Sequence, residues 1–334
     1  MAVQLLNLNK MMNNFIIFGD MHFYINPAKS VVDNDYVSSW VKIQFGILDF
    51  IFDYARQHDI KTIIHNGDLF EEKNRINQQL YNLVWEKFYL SKDFEIIFNI
   101  GNHDMFMRGG TSLKPFQSAG RVITEPTLFE DAVSSIKIIP YGMSVDQLSI
   151  FDNRVKILIT HELITDLTVG PNQHKVGAEI KRQQLRDWEH VFNNHIHKPQ
   201  ELGNIVNVGS PMRQDWGEAG ETKRFIHCRD GFYRSINVPC PKFYDIPWGE
   251  IDRIDDTNFY RVSCDVSKTK DPIFKKYNVC YKILPMKERK IRMSVSRKST
   301  EEDELEKYID IVNPENLDRG RLLKIGMELI GKGE

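Results

Sequence analysis

Paired cysteines and long apolar runs are both missing from this sequence. The chain has 334 residues and four cysteines, none in a Cys-x-x-Cys pair: Cys228, Cys240, Cys264 and Cys280. This wide spacing excludes a disulfide scaffold and a zinc finger. No apolar run approaches the ~18 residues of a membrane-spanning helix, and the first residues lack the apolar core of a secretory signal. We therefore expect a cytoplasmic protein with no membrane partner.

A strong charge of one sign is also missing. The 44 Lys and Arg residues nearly balance the 46 Asp and Glu residues, so the net charge is −2. This excludes a protein that attracts nucleic acid by bulk charge alone. Apolar residues make up 41% and charged residues 27% of the chain, as in soluble globular proteins. The length suggests two domains, or one large domain with an appendage.

The first hundred residues alternate strand and helix patterns. Phe15–Phe18, Thr62–Ile64 and Phe94–Ile100 are short apolar runs, whereas apolar residues recur at helical spacing from Val37 to about His58 and over Ile76–Leu90. Two successive βαβ units predict a parallel sheet with right-handed crossovers. Functional groups of such sheets gather beyond the carboxyl ends of the strands.

The following region is richer in strands. Further strands are predicted at Val155–Ile159, Val191–Phe192, Ile205–Val208, Lys223–Cys228 and Phe232–Val238. This order predicts an α/β fold of the α+β sandwich type, with helices outside the sheets.

The C-terminal third divides into two parts. Proline and glycine cluster near residues 239–250 and mark a boundary. Strand and helix patterns beyond it predict a small α+β module, which ends in a basic stretch at 282–298 that could contact DNA or be a solvated linker. Helices are expected at about 301–312 and 314–331. The predicted regions are a leader (1–13), a core domain (14–240), the α+β module (241–298) and a helical tail (299–334).

Each of five predicted strand ends carries residue types that bind metal ions. They are Asp20-Met21-His22, Asn66-Gly67-Asp68, Gly101-Asn102-His103-Asp104, Thr160-His161 and His195-Ile196-His197. One such cluster alone is usually a turn or a structural histidine, but five in succession are not expected by chance. Carboxylate, amide and imidazole ligands without thiolates suit manganese, iron or zinc. Two such ions ~3.5–4 Å apart can clamp a phosphate for in-line attack.

In these residues the sequence resembles the calcineurin-like metallophosphoesterase superfamily, whose motifs follow the order DxH, GD, GNH(D/E), H and HxH. The resemblance implies a four-layer metallophosphoesterase core and two divalent metal ions, with manganese expected. It implies seven metal ligands: Asp20, His22 and His197 for the first ion, Asn102, His161 and His195 for the second, and Asp68 as the bridge between them.

The resemblance also implies catalytic roles for His103 and Asp104. His103 would contact the phosphate and protonate the leaving oxygen, a role that suits a side chain with a pKa near neutrality. Asp104 would orient His103. The nucleophile would be a hydroxide bridging the metals, so no Ser or Cys nucleophile is needed.

Two shorter motifs are similar to those of the nuclease subunit of SbcCD-type DNA repair complexes. They are Gly67-Asp68-Leu69-Phe70 and Asn207-Val208-Gly209-Ser210-Pro211. The layout most resembles the recombination nuclease subunits of T-even and related large phages, which would act in the host cytoplasm. The resemblance implies a DNA exonuclease and endonuclease of recombination, repair or phage replication. It also implies that residues 241–298 cap the DNA, that residues 299–334 bind an SbcC-type coiled-coil ATPase, and that the chain forms a homodimer.

Two residues depart from the family pattern. Asn194 stands where a glycine usually precedes HxH, and we expect the turn to survive because asparagine tolerates left-handed backbone. Glu71 stands where many relatives have a histidine, so a second substrate-contacting histidine is expected to be missing.

Two other functions remain open at this point. The same scaffold could serve a metallophosphatase that acts on nucleotides or phosphoproteins, although the GDxxDRG pattern of the protein phosphatases is absent. A non-enzymatic assembly subunit is the third hypothesis. It is disfavoured because such proteins lose ligands, and all seven are present here.

Overall fold

The computed structural model describes residues 13–26, 28–32, 37–106, 110–130, 135–143, 156–170, 172–178, 180–284, 300–312 and 318–330. Residues 1–12 of the predicted leader and residues 285–298 of the predicted basic stretch lie outside these ranges.

The elements of the described residues are named in chain order. The strands are β1 (Asn14–Phe18), β2 (Thr62–Asn66), β3 (Glu95–Asn99), β4 (Met105–Phe106), β5 (Gly110–Thr111), β6 (Arg121–Ile123), β7 (Thr127–Glu130), β8 (Ser135–Ile139), β9 (Ile157–Thr160), β10 (Thr168–Val169), β11 (His174–Lys175), β12 (His190–Asn193), β13 (Gln200–Leu202), β14 (Ile205–Asn207), β15 (Arg224–Arg229), β16 (Phe232–Asn237), β17 (Phe243–Pro247), β18 (Phe259–Cys264) and β19 (Val279–Ile283). The α-helices are α1 (Ser39–Gln57), α2 (Gln78–Leu90), α3 (Glu301–Val312) and α4 (Arg319–Ile330).

Two six-stranded sheets form the core. The first has the order β16-β15-β1-β2-β3-β6, in which β1, β2, β3 and β6 run parallel. The second has the order β13-β14-β12-β9-β8-β7, in which β14, β12, β9 and β8 run parallel. The predicted α/β sandwich is therefore confirmed, and both sheets, not only the first, have a parallel centre.

Strand β1 shows how the layers pack. Its side chains alternate between the two faces of the first sheet, as a pleated strand requires. Phe15 and Ile17 are buried against isoleucines of β8 and β9 in the second sheet. Ile16 and Phe18 are buried against apolar residues of α1 and α2. Because both faces are covered, β1 is apolar from Phe15 to Phe18.

The outer face of the second sheet, unlike that of the first, is not covered by α-helices in the described part of the chain. A 3-10 helix, Arg182–Leu185, and extended segments pack there, with Leu158, Val191 and Trp188 buried together. The fourth layer of the predicted four-layer core is thus built here from irregular structure. Residues 144–155 lie outside the described ranges.

The chain divides into two compact units, one of residues 1–263 and 270–282 and one of residues 264–269 and 283–334. Strands β17, β18 and β19 form a small sheet with its own apolar cluster, and most of that sheet belongs to the first unit. The helix expected after β18 is a short 3-10 helix, Pro272–Lys275, with Asp271 as its cap. The capping role of residues 241–298 stays a prediction.

The second unit contains α3 and α4. Arg319 forms a 2.9 Å ion pair with Asp310. A Cβ atom on Gly326 would lie only 2.4 Å from Leu305 Cδ2, so glycine allows the two helices to approach closely. The predicted helix over 314–331 is observed from Arg319 onward, and residues 313–317 lie outside the described ranges.

Candidate metal centre

The five motifs meet at one edge of the sandwich because the strands before them are parallel within each sheet. In the first sheet, β1 leads to Asp20 and His22, β2 to Asp68, and β3 to Asn102 and His103. In the second sheet, β9 leads to His161, and β12 leads to His195 and His197. Seven of these eight side chains, all except Asn102, belong to three overlapping groups. Within each group the ligand atoms lie within 4.8 Å of one another.

Asp20, His22 and His197 form the first ligand group. Their ligand atoms all lie within 4.8 Å of one another. The Nε2 atoms of His22 and His197 are 3.0 Å apart, while the Nδ1 atoms of both rings face carboxylates. His22 Nδ1 lies 2.6 Å from Glu71 Oε2, and His197 Nδ1 lies 2.7 Å from Glu218 Oε1. If each Nδ1 carries the ring hydrogen, both Nε2 lone pairs converge, as they would on a cation.

Asp68, His161 and His195 form the second ligand group, again with ligand atoms within 4.8 Å of one another. His161 Nε2 is 3.2 Å from Asp68 Oδ2. The same carboxylate oxygen is 3.6 Å from His22 Nε2 of the first ligand group. Asp68 therefore stands between the two groups, where a bridging ligand would have to be.

Buried polar atoms without partners test whether these residues fit metal ions. Among the described residues, the buried polar atoms without a hydrogen-bond partner include Asn102 Oδ1 and His195 Nδ1. Leaving such atoms unsatisfied costs on the order of 1–3 kcal/mol each. Both atoms belong to predicted ligands, so these residues fit a cation.

The electrostatics of the site also favour a cation. Burial lowers the pKa of His161, but the Asp68 and Asp20 carboxylates outweigh it and raise that pKa to about 10. Burial likewise lowers the pKa of His22, and Glu71, Asp68 and Asp20 raise it to about 8. The buried carboxylates thus stabilise positive charge at this edge of the sandwich, supplied here by protons.

The backbone is strained at four of the predicted ligands. Asp20, His22, Asp68 and His195 have φ angles of 50°, 44°, 57° and 88°, in the left-handed region that residues with a Cβ rarely adopt. Such strain concentrates at functional sites. Gly67 has a φ of 89°, and a Cβ there would lie 2.3 Å from His161 Nδ1. Glycine before Asp68 is therefore required both by conformation and by space.

Asp104 and His103 each contact backbone groups near the ligands. The buried Asp104 carboxylate accepts hydrogen bonds from the backbone N–H groups of Asp68, Leu69 and Gly101, at 2.7, 3.0 and 2.9 Å. Asp104 therefore fixes the loops that carry the ligands. The atom on the His103 ring is the carbonyl oxygen of Glu71, 2.6 Å from Nδ1, and the orienting role expected of Asp104 stays a prediction.

Asn194 differs from its expected role. The left-handed residue of this turn is His195, not Asn194. The Asn194 side chain is buried and donates to Asp20 Oδ2 at 2.9 Å, while it accepts from Asn66 Nδ2 at 3.0 Å. Asparagine here positions the Asp20 carboxylate instead of supplying a flexible turn.

A network of buried asparagine side chains connects the strand ends. Asn66 donates to the carbonyl oxygen of Thr160 at 2.7 Å, and Asn99 donates to that of Ile139 at 3.1 Å. Both bonds join the first sheet to the second. Sequence reasoning did not identify this network, although an asparagine at the end of four strands (β2, β3, β12 and β14) is its visible signal.

The Gly-Ser-Pro element packs against the HxH turn. Gly209 has a φ of 78°, and a Cβ there would lie 2.7 Å from the carbonyl oxygen of His197. The Ser210 N–H donates to that same oxygen at 3.0 Å. A cavity of about 350 Å³ opens beside this turn, lined by Leu163, Val169, His195, His197 and Lys198 among others.

The comparison with protein families agrees with this geometry. The family model for calcineurin-like phosphoesterases matches residues 14–225. No protein of curated function matches the sequence. Among the described residues, no helix has the length and apolar character that crossing a bilayer would demand.

Three solved structures illustrate the similarity. An archaeal phosphodiesterase is 12% identical, with 67% of this chain and 99% of that chain covered and a TM-score of 0.36. The nuclease MPE of Pseudomonas putida is 13% identical, with 66% and 87% covered and a TM-score of 0.33. The purple acid phosphatase PPD1 of yellow lupin (Lupinus luteus) seeds is 14% identical, with 64% and 48% covered and a TM-score of 0.39.

Proposed function

We propose, from the premise that this chain belongs to the calcineurin-like phosphoesterase family, that it is a manganese-dependent DNA nuclease. The observation that carries the proposal is the pair of ligand groups with Asp68 between them and His103 beside them. His22, Asp68 and His103 offer ligand atoms within 4.8 Å of one another. A phosphodiester bound at such a site would have a proton-donating side chain next to the metals.

In this proposal the seven predicted ligands hold two divalent ions. Asp20, His22 and His197 would hold the first, Asn102, His161 and His195 the second, and Asp68 would bridge them. When bound, the two ions supply positive charge that neutralises the phosphate and favours attack on phosphorus. The chain's contribution is to fix the ligands, through the strained turns and the asparagine network.

His103 is the proposed proton donor to the leaving oxygen. A carbonyl oxygen only accepts hydrogen bonds, so the contact with the Glu71 oxygen requires the hydrogen on Nδ1 of His103. This leaves Nε2 to carry the transferable proton. The ring packs edge-on against His22 with centroids 4.8 Å apart, which places it next to the first ligand group.

DNA as the substrate is supported by the sequence. The Gly-Asp-Leu-Phe and Gly-Ser-Pro motifs resemble those of SbcCD-type nuclease subunits, and residues after 240 resemble their additional domains in layout. We propose accordingly that an SbcC-type coiled-coil ATPase binds the tail and that the chain acts as a homodimer in recombination, repair or phage replication. A metallophosphatase of nucleotides or phosphoproteins is the alternative outcome.

A substrate panel tests the proposal. Purified protein, with and without an SbcC-type ATPase, is assayed in manganese and in magnesium on single- and double-stranded DNA, nucleotides and a phosphoserine peptide. We expect DNA cleavage that depends on manganese. Turnover confined to nucleotides or to the phosphopeptide would establish the phosphatase instead.

A histidine variant tests the proton donor. His103→Ser should lower DNA cleavage by about 10²–10⁴-fold, the usual contribution of general acid catalysis, while manganese binding is retained. His174→Ser is the matched control, because His174 is exposed on β11. Unchanged cleavage in His103→Ser would contradict the assigned role.

A further inference from the structure

We propose that Lys223 and Glu218 form a buried relay that positions His197 as a metal ligand. Neither residue belongs to a motif of the family, and both lie in the loop after the Gly-Ser-Pro element. The inference rests on the proposed function in one respect, because it takes His197 to be a ligand of the first ion. It adds that Glu218 and Lys223 tune the metal affinity of the first ligand group.

Both carboxylate oxygens of Glu218 are engaged. Oε1 lies 2.7 Å from His197 Nδ1, and Oε2 lies 2.6 Å from Lys223 Nζ. Oε2 also accepts the N–H of Gln214 at 3.1 Å. A carboxylate only accepts, so it holds the hydrogen on Nδ1 of His197 and leaves the Nε2 lone pair free to bind a metal.

Lys223 is fully buried, with no exposed side-chain surface. Its ammonium group also lies 2.7 Å from Glu221 Oε2 and donates to the carbonyl oxygen of His197 and to Ser210 Oγ, both at 3.0 Å. Lys223 therefore contacts the backbone of the same histidine whose ring Glu218 holds. The relay fixes His197 from two sides.

The loop that carries the relay is itself constrained. A short 3-10 helix, Trp216–Glu218, is capped by Asp215, whose side chain accepts from the Gly217 N–H at 2.6 Å. The Arg213 guanidinium donates to the carbonyl oxygens of Ala219 and Glu221. Glu218 is thus held where it can reach His197, rather than being one of several surface carboxylates.

A role in metal binding explains the relay better than stability does. Replacing a buried ion pair by apolar residues of similar volume is often neutral or stabilising, so such pairs are weak evidence for a stabilising role. A carboxylate on the second nitrogen of a metal-binding histidine, in contrast, typically contributes 10–100-fold to metal affinity.

A matched pair of variants tests the relay. Glu218→Gln and Glu221→Gln each remove one carboxylate from Lys223, but only Glu218 contacts His197. A glutamine has one acceptor oxygen, so it cannot serve His197, Lys223 and the Gln214 N–H together. Mn²⁺ affinity is measured by titration calorimetry of metal-free protein, and metal-free stability by urea unfolding in EDTA.

We expect Glu218→Gln to weaken binding of one Mn²⁺ ion by about 10–100-fold and Glu221→Gln to leave both affinities near the wild-type values. The two variants should lose similar metal-free stability. Wild-type affinity in Glu218→Gln, or equal weakening in both variants, would overturn the relay. If the wild-type protein binds no Mn²⁺, the proposed function fails instead, and the two failures are therefore distinguishable.

Discussion

The two ligand groups differ in the acceptor groups that contact the Nδ1 atoms of their histidines. In the first ligand group, His22 and His197 each face a side-chain carboxylate, Glu71 at 2.6 Å and Glu218 at 2.7 Å. Such carboxylates raise the basicity of the ring and add negative charge near the ion. The first ligand group should therefore bind its ion more tightly.

In the second ligand group, the acceptor that contacts His161 Nδ1 carries no formal charge. His161 Nδ1 lies 2.7 Å from the backbone carbonyl oxygen of Asn66, which orients the ring without bringing a formal charge. Asn102, the ligand that the resemblance adds to this group, is also neutral. We therefore expect two bound ions to differ in affinity.

Removing the shared carboxylate should abolish both sites. Asp68 stands between the two groups, and its Oδ1 also accepts the His103 N–H at 2.7 Å. Asp68→Asn should weaken both Mn²⁺ affinities by more than about 100-fold, beyond the effect of a supporting residue. Calorimetry and phosphodiesterase rates measure it. Asp53→Asn, on the exposed face of α1, is the control, and a variant that keeps one tight ion would show that Asp68 does not bridge.

Removing the support of Asp20 should affect mainly the first ligand group. Asn194→Gly restores the usual family residue but leaves Asp20 Oδ2 without its 2.9 Å donor. We expect the first ion to bind about 10-fold more weakly, with a smaller change for the second. Asn204→Gly is the matched control, because Asn204 donates to the Leu185 and Trp188 carbonyl oxygens, away from the ligands. Equal losses of Mn²⁺ affinity in both variants would show that Asn194 contributes only to folding.

The Mn²⁺ affinities of the two ligand groups should depend differently on pH. The metal must displace the proton of each ligand whose pKa is raised, so affinity rises about tenfold per pH unit below that pKa for each proton displaced and levels off above it. His22 has a pKa of about 8 and His161 of about 10. The affinity of the first ligand group should therefore level off near pH 8, while that of the second continues to rise. Calorimetry in buffers of different ionisation enthalpy counts the protons released when Mn²⁺ binds. Identical pH profiles for the two Mn²⁺ affinities would show that the two ligand groups do not differ in this way.

The position of the candidate ligands could be predicted from the sequence because they follow apolar runs at fixed motif spacing. Parallel strands bring such residues to one edge of the sheet, independently of the conformation of the loops. The bounds of the predicted elements in the first hundred residues are confirmed within two residues. The clustering of the ligands followed from that topology. The assignment of each residue to a particular ion remains a proposal.

The supporting residues could not be predicted, because their partners are distant in sequence. Glu218 reaches His197 only because the loop after residue 210 returns along the HxH turn, and no spacing rule encodes that return. Asp104 was given a contact with its neighbour, whereas its carboxylate binds three backbone N–H groups. A side chain's nearest neighbour in sequence is a poor guide to its hydrogen-bond partners.

Counting bound Mn²⁺ tests the central claim most directly. Metal-free wild-type protein, His22→Ala and His161→Ala are each equilibrated with Mn²⁺ and the bound metal per chain is measured. The account predicts two ions in the wild type and one in each variant, with the remaining ion tighter in His161→Ala. Fewer than two ions in the wild type, or a full complement in either variant, would contradict it.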